Sequence, residues 1–240
     1  VNEVLKVIEA RHSDRSAYAP DRRVTDEALA VILQAARWAP TAHNMQNFQI
    51  VVIDDPELLR AIGDIPRALS ADFLRENYRQ LSFSAEELRR KKTGVLASTF
   101  PMSWQSPDAD VTRMQPGLLR DSIQGSPVLL LVLFDPEIRA PASDGDFLGI
   151  MSLGCVMQNM WLAAQSVGVS VQILSTFGAT RVQGELRPLL QIPPDRNIAF
   201  ACRVGFPIVP ATPSPRVRRE MTDFVYRNVY GEAVRLSRQP

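Results

Sequence analysis

From Phe147 to Val167 the chain is apolar almost all round, with no continuous polar stripe along either side. A helix of that kind has to be covered on most sides. In a chain of 240 residues the cover is either the centre of the core or a second subunit, and the pattern leaves both open. Ser152, Gln158 and Asn159 interrupt the stretch. It therefore reads as a core or interface helix, because a membrane span needs about 18–20 consecutive apolar residues. Gly154 is expected to let a neighbouring helix come close, and Gly168 to stop the helix. The run Pro127 to Phe134 is apolar without alternation, the mark of a strand buried on both faces.

The remaining elements follow from spacing and caps. Asn2 to Glu9 has helical spacing of Val4, Leu5, Val7 and Ile8, and is expected to pack one face inward. Thr25 caps a second helix with Asp26 and Glu27 in its first turn, where the dipole favours acids, and Pro40 ends it. Phe48 to Ile53 reads as a strand. Asp55-Pro56 opens a helix, with Asp as cap and Pro at the first helical position. Ser84 to Glu87 has the form of a capping box. Val169 to Leu174 and Ile198 to Val204 read as strands, with a short helix at about Gln183 to Leu190 between them. Pro207, Pro210, Pro213 and Pro215 make an extended arm. The chain reads as one domain over 1–240, with an insert at about 80–118 and an arm at 207–240.

The charge balance excludes several partners. A formal net charge of +1 with 22% charged residues gives no field to gather nucleic acid or an anionic membrane. Cys155 and Cys202 each lie in an apolar run and are expected to be buried hydrophobes. The only histidines are His12 and His43, so no metal site of recognisable spacing exists. There is no glycine-rich dinucleotide turn, phosphate loop or nucleophile elbow. The beginning of the chain shows no signal-peptide pattern, and the cytoplasm is the expected compartment.

The chemistry that remains is phosphate recognition and a bound organic cofactor. Arg11-His12-Ser13-Asp14-Arg15 sets two fixed cations and a hydroxyl in one turn, a donor set suited to a phosphate monoester. A second cluster, Arg216-Val217-Arg218-Arg219, stands about two hundred residues later. Each is otherwise a solvated basic turn. The polar loop Pro40 to Asn47 precedes a strand, where scaffolds hold binding groups. Its Thr41, Asn44 and Gln46 suit either a ligand ring or their own backbone. The irregular stretch 99–116 carries Phe100, Met102 and Trp104, and suggests a lid or a surface excursion.

Three groups of residues now form a resemblance. Ile8 to Arg15, Ala39-Pro40-Thr41-Ala42-His43-Asn44-Met45-Gln46, and Val156 to Ala164, followed by Gly205-Phe206-Pro207 and by Arg218-Arg219 leading to Tyr230-Gly231, resemble the FMN-dependent nitroreductase family in the order in which they occur. Thr41 stands where the family commonly has Ser, Asn47 replaces its usual Pro, and the insert matches no family pattern.

The resemblance implies an α+β fold with a mainly antiparallel central sheet, helices on both faces, and an intertwined homodimer with FMN at the interface. It implies that Arg11, Ser13 and Arg15 hold the FMN phosphate and ribityl chain, that His12 contributes mainly backbone contact, and that Arg218, or else Arg219 or Arg216, completes the phosphate site. Pro40, Thr41, Ala42 and Asn44 would meet the flavin ring from the other subunit, with Gln46 beside them. Ser175 and Thr176 would approach flavin N5, and Phe100, Met102 and Trp104 would meet the substrate. The implied reaction is ping-pong transfer from NADH or NADPH through FMN to a nitroaromatic, quinone or related electron-poor acceptor. Reductive dehalogenation or flavin breakdown on the same fold, and a non-enzymatic flavin-binding protein, are the alternatives.

Overall fold

The structure is a computed structural model that describes residues 2–67, 117–141, 144–209 and 220–234. The chain divides into two compact units, Val1–Ala68 with Pro116–Ala211, and Leu69–Gln115 with Thr212–Pro240. The first holds a four-stranded sheet of β1 (Gln49–Ile53), β2 (Val128–Phe134), β3 (Ser170–Leu174) and β4 (Asn197–Gly205). The strand order is β1-β2-β4-β3, and every neighbouring pair is antiparallel.

β2 sits inside this sheet because both of its faces are apolar. Val128, Leu130 and Val132 point to one layer, where Leu29, Ile32 and Ala36 of helix α2 (Asp26–Arg37) and Val156, Met160 and Ala164 of a long helix pack. Leu129, Leu131 and Leu133 point to the other layer. There they meet helix α3 (Pro56–Gly63), the turn of helix α4 (Arg120–Ile123) and, after the long helix α5 (Phe147–Ser166), helix α6 (Thr180–Leu190). The β2–β4 register shifts between Val132 and Leu133, which pair with Phe200 and Ile198. One extra residue on β4 reverses the facing of what precedes it. Ile198 therefore joins the second layer while Phe200, Cys202 and Val204 stay in the first. Three layers with a mainly antiparallel sheet are the α+β architecture expected.

The caps behave as their residues dictate. The Thr25 hydroxyl accepts from the Ala28 N–H, and the Asp55 carboxylate from the Leu58 N–H. Gly168 closes α5 at φ 71°.

Three expectations need correction, those for α1, for Cys155 and for the apolar length of α5. Helix α1 (Glu3–Ala10) buries none of its residues, and Val4, Leu5 and Ile8 face outward. Its spacing shows an apolar face without saying what covers it. Within the single chain helix α5 is buried only at Val156, Met160 and Ala164, while Phe147, Ile150 and Met151 are exposed, so of the two covers left open the core alone does not supply it. Among the described residues a Cβ at Gly154 would meet nothing within 4 Å. Cys202 is buried as expected, but Cys155 on α5 is only half-buried, and both thiols are free. Helix α5 is also long and apolar enough by length and composition to cross a bilayer, despite its three polar residues. In the fold it packs on α2 and the sheet, and Asn159 donates to the Ala35 carbonyl at 3.0 Å.

In the second unit, residues 220–234 form a small turn of their own. Tyr226 bridges to Ala233, and its ring lies 4.7 Å from that of Tyr230. The capping box at Ser84, the apolar residues Phe100, Met102 and Trp104, and Arg216 to Arg219 lie outside the described residues.

Leu131 is fully buried at the centre of β2. Leu131→Ala is expected to lower unfolding stability by about 2–5 kcal/mol, measured by urea denaturation.

Candidate functional site

Strand β3 organises the site. At its start the turn 11–15 lies along its open edge, with the Asp14 N–H donating to the Val171 carbonyl at 3.4 Å. At its end the chain tightens into a 3-10 turn, Ser175–Gly178. Five residues of strand separate the two turns by about 16 Å.

Asp14, whose side chain does not reach solvent, anchors the first turn. One carboxylate oxygen accepts from the Ser16 N–H at 3.0 Å and from the Ser16 hydroxyl, and the other accepts from the Ser170 hydroxyl at 3.1 Å. Helix α5 holds the other side. The Trp161 indole donates to the His12 carbonyl at 3.1 Å, and the Arg11 guanidinium lies 4.3 Å from the centre of the Trp161 ring. Such stacking contributes roughly 0.5–2 kcal/mol. The His12 carbonyl is thus taken up by Trp161 within the chain, and the His12 Nδ1 faces the Ala10 carbonyl. Ser13 and Arg15 make no side-chain hydrogen bond or ion pair among the described residues, and Arg15 is exposed.

At the far end Ser175 is exposed and Thr176 is half-buried. The Thr176 hydroxyl itself is closed off from solvent and has no hydrogen-bond partner among the described residues. Burying such a group alone costs about 1–3 kcal/mol. Ser175 borders a cavity of about 580 Å³ whose apolar walls include Leu153, Met157 and Phe200. A larger cavity of about 690 Å³, bounded by Val24, Leu59, Arg60 and Val128, contains none of the expected site residues.

The loop after α2 is a third region. His43, Asn44 and Gln46 adopt left-handed φ values of 50°, 55° and 49°, a conformation that is uncommon outside glycine and gathers at functional sites. The loop is held in spite of this. The Thr41 hydroxyl accepts from the Gln46 N–H at 3.1 Å, the Gln46 amide donates to Asn44 Oδ1 at 3.2 Å, and the Ala42 N–H donates to the Ser152 hydroxyl at 2.9 Å. Pro40 is exposed beside it. Asn47 bonds the loop after β2 three times, donating to the Asp135 and Ile138 carbonyls and accepting from the Asp135 N–H. A proline has neither the amide donor nor the acceptor for this, which gives Asn47 its own structural role. Ser152 and Trp161 are nine residues apart on α5, about 13 Å. Within one protomer the loop 40–46 and the turn 11–15 therefore attach to different parts of that helix.

The residues that sequence reasoning missed lie beneath the first turn. Arg203 on β4 is fully buried. Its guanidinium donates to Gln172 Oε1 at 2.8 Å and to the carbonyls of Ile123, Asp14 and Ser16 at 3.2, 3.1 and 2.8 Å. It also lies 4.2 Å from the centre of the Tyr18 ring. A lone arginine inside the apolar run Ile198 to Val204 was the available signal. Burial pushes the Tyr18 phenol well above its usual range, with Arg203 opposing and Asp14 adding. Burial also lowers Arg203, against Tyr18 and Asp14, which raise it; a guanidinium stays charged throughout.

The Tyr18 shift gives a pH prediction. Above about pH 10 the unfolded chain ionises this phenol while the folded chain keeps it protonated, so its contribution is intact below that pH and is lost as pH rises beyond it. Tyr18→Phe is expected to flatten the decline in stability between about pH 10 and 12, measured by denaturant unfolding across that range.

A sequence model of the nitroreductase family matches residues 8–206. Over 236 residues the chain is 19% identical to the NADPH-dependent oxidoreductase of Staphylococcus haemolyticus, covering 98% of this chain and 77% of that protein. It is similar to the FMN and NADPH-dependent nitroreductase NfnB of a Sphigopyxis strain, with a TM-score of 0.64 at 17% identity over 95% of this chain and 100% of that one. The FMN-bound nitroreductase of Bacteroides fragilis gives a TM-score of 0.57 at 19% identity, again over 95% and 100%. At these identities the structural likeness speaks for the fold. The match along most of the sequence goes further: the chain belongs to the nitroreductase family.

Proposed function

We propose that this chain is an NAD(P)H-dependent FMN oxidoreductase that passes electrons in ping-pong order to a nitroaromatic, a quinone or a related electron-poor acceptor. The observation that carries the reading is the pairing on β3 of a cationic turn at one end with the exposed Ser175 beside an apolar cavity at the other. FMN has a dianionic head and a flat, largely apolar ring with hydrogen-bonding edges, and the residues present fit both. Ser13 and Arg15 have side-chain donors unused within the described residues, and Arg11 adds a cation braced by Trp161. The Thr176 hydroxyl is a donor and acceptor without a partner.

Bound FMN supplies the hydride and electron chemistry. The chain's own residues bind, orient and exclude water. Arg11, Ser13 and Arg15 hold the phosphate and ribityl chain, with His12 contributing backbone contact. Ser175 and Thr176 offer hydroxyls at the ring edge. Thr41, Ala42, Asn44 and Gln46, on their strained loop beside Pro40, present polar groups to a ring bound across a two-fold interface. Phe100, Met102 and Trp104 are the proposed acceptor contacts. No acid–base pair is required of the protein, since its task is orientation.

A homodimer is part of this reading. Phe147, Ile150 and Met151 leave α5 with an exposed apolar face, and a second copy of the same face is the natural cover for it. A cytoplasmic location is also part of the proposal. We also propose that 1–240 is one family domain with its insert at about 80–118 and its arm at 207–240.

The test is the visible spectrum of the purified protein, before and after anaerobic NADPH or NADH. An oxidised flavin spectrum that bleaches supports the reductase. Flavin that stays oxidised with both donors points to a flavin-binding protein without this activity. A colourless protein that takes up no added FMN removes the reading altogether. Arg15→Ala is expected to weaken FMN binding by about 1.5–3 kcal/mol, measured by flavin fluorescence titration. Arg218→Ala, expected from the sequence to do the same, is the companion measurement.

A further inference from the structure

We propose that Arg203 is a positioning residue for the phosphate-binding turn, acting through the backbone on either side of Arg15. The inference rests on the FMN reading above. One guanidinium nitrogen, Nη2, donates to both the Asp14 and the Ser16 carbonyls, at 3.1 and 2.8 Å. These carbonyls bracket Arg15, so the backbone is gripped one residue before and one residue after it while its own side chain stays exposed. The remaining donors tie that grip to the fold: Nε to Gln172 on β3 and Nη1 to the Ile123 carbonyl at the end of α4. The face of the guanidinium is covered by Tyr18. All three nitrogens thus have acceptors, a set that arginine's planar fork of donors can serve and a lysine ammonium cannot.

The charge is compensated locally. Among the described residues, Arg203 and Asp14 are the only buried charged side chains. Asp14 spends its carboxylate on Ser16 and Ser170, closing the same turn from the other side. The two residues share no ion pair. They fix one stretch of backbone between them, and Ser13 and Arg15 are aimed by it. Charge-assisted bonds to phosphate are sensitive to such aim, whereas contacts to the flavin ring at the far end of β3 are not.

The test compares FMN with riboflavin, which has the same ring and no phosphate. Binding of both is titrated by flavin fluorescence in the wild type, Arg203→Met, Arg203→Lys and Arg15→Ala, with melting curves to establish folding. The wild type is expected to prefer FMN. Arg203→Met and Arg203→Lys are each expected to lose FMN affinity by about 10–100-fold with riboflavin affinity unchanged, so that the preference collapses although Lys keeps the charge. Equal losses for both flavins, or an unchanged preference, overturn the proposal. If the Arg203 variants fail to fold, Asp14→Asn, which preserves shape, carries the same expectation with a smaller loss. A wild type that binds both flavins equally removes the phosphate site itself. A preference abolished by Arg15→Ala but kept in the Arg203 variants removes only the positioning role.

Discussion

A strand that is apolar on both faces requires a cover on each, and β2 imposes that requirement on the whole first unit. Its residues alternate between two layers, so the sheet cannot lie on the surface of the molecule. Each fully buried leucine contributes roughly 1.5–3 kcal/mol relative to exposure. Helices α2 and α5 satisfy one side; α3, α4 and α6 satisfy the other. Once β2 is central and paired with β4, β3 falls at the sheet margin, and its open edge is where the cationic turn attaches. The location of the site is thus a consequence of where the sheet has to end.

The parts of that site differ in how they are held. The turn 11–15 is fixed from below by buried polar groups and from the side by an aromatic ring on α5. The loop 41–46 is fixed by its own side chains and by Ser152, against left-handed backbone at three positions that are not glycine. The end of β3 is instead under-satisfied, with a buried hydroxyl that lacks a partner. Tight scaffolding at two places and an unspent group at a third is the pattern of a preorganised binding site.

Local chemistry in the sequence foretold the elements well. Thr25 and Asp55 cap helices, Gly168 stops one, and the unbroken run to Phe134 is a buried strand, because each effect depends on residues within a few positions of one another. The cationic turn was also legible as a ligand-ready donor set. What sequence spacing could not reveal was cover. The apolar faces of α1 and α5 are plain in the periodicity, yet what lies against them is a tertiary or quaternary fact, and Gly154 turned out to face open space. Asn47 looked like a mere departure from a family pattern, although it ties two loops together across 88 residues of sequence. Arg203 escaped notice because its partners come from three separate segments, and long-range convergence leaves no local trace.

The backbone pairing of Asp14 with Val171 has a further consequence. β3 is an edge strand, and unpaired edges are templates for joining the strands of other chains. Here the charged turn lies across that edge and takes one of its carbonyls. The same segment that would receive a ligand is therefore also a guard against unwanted strand addition. Any variant that loosens the turn uncovers an edge, so damage at this site is apt to show first as aggregation of otherwise folded molecules, before any change in the core is felt.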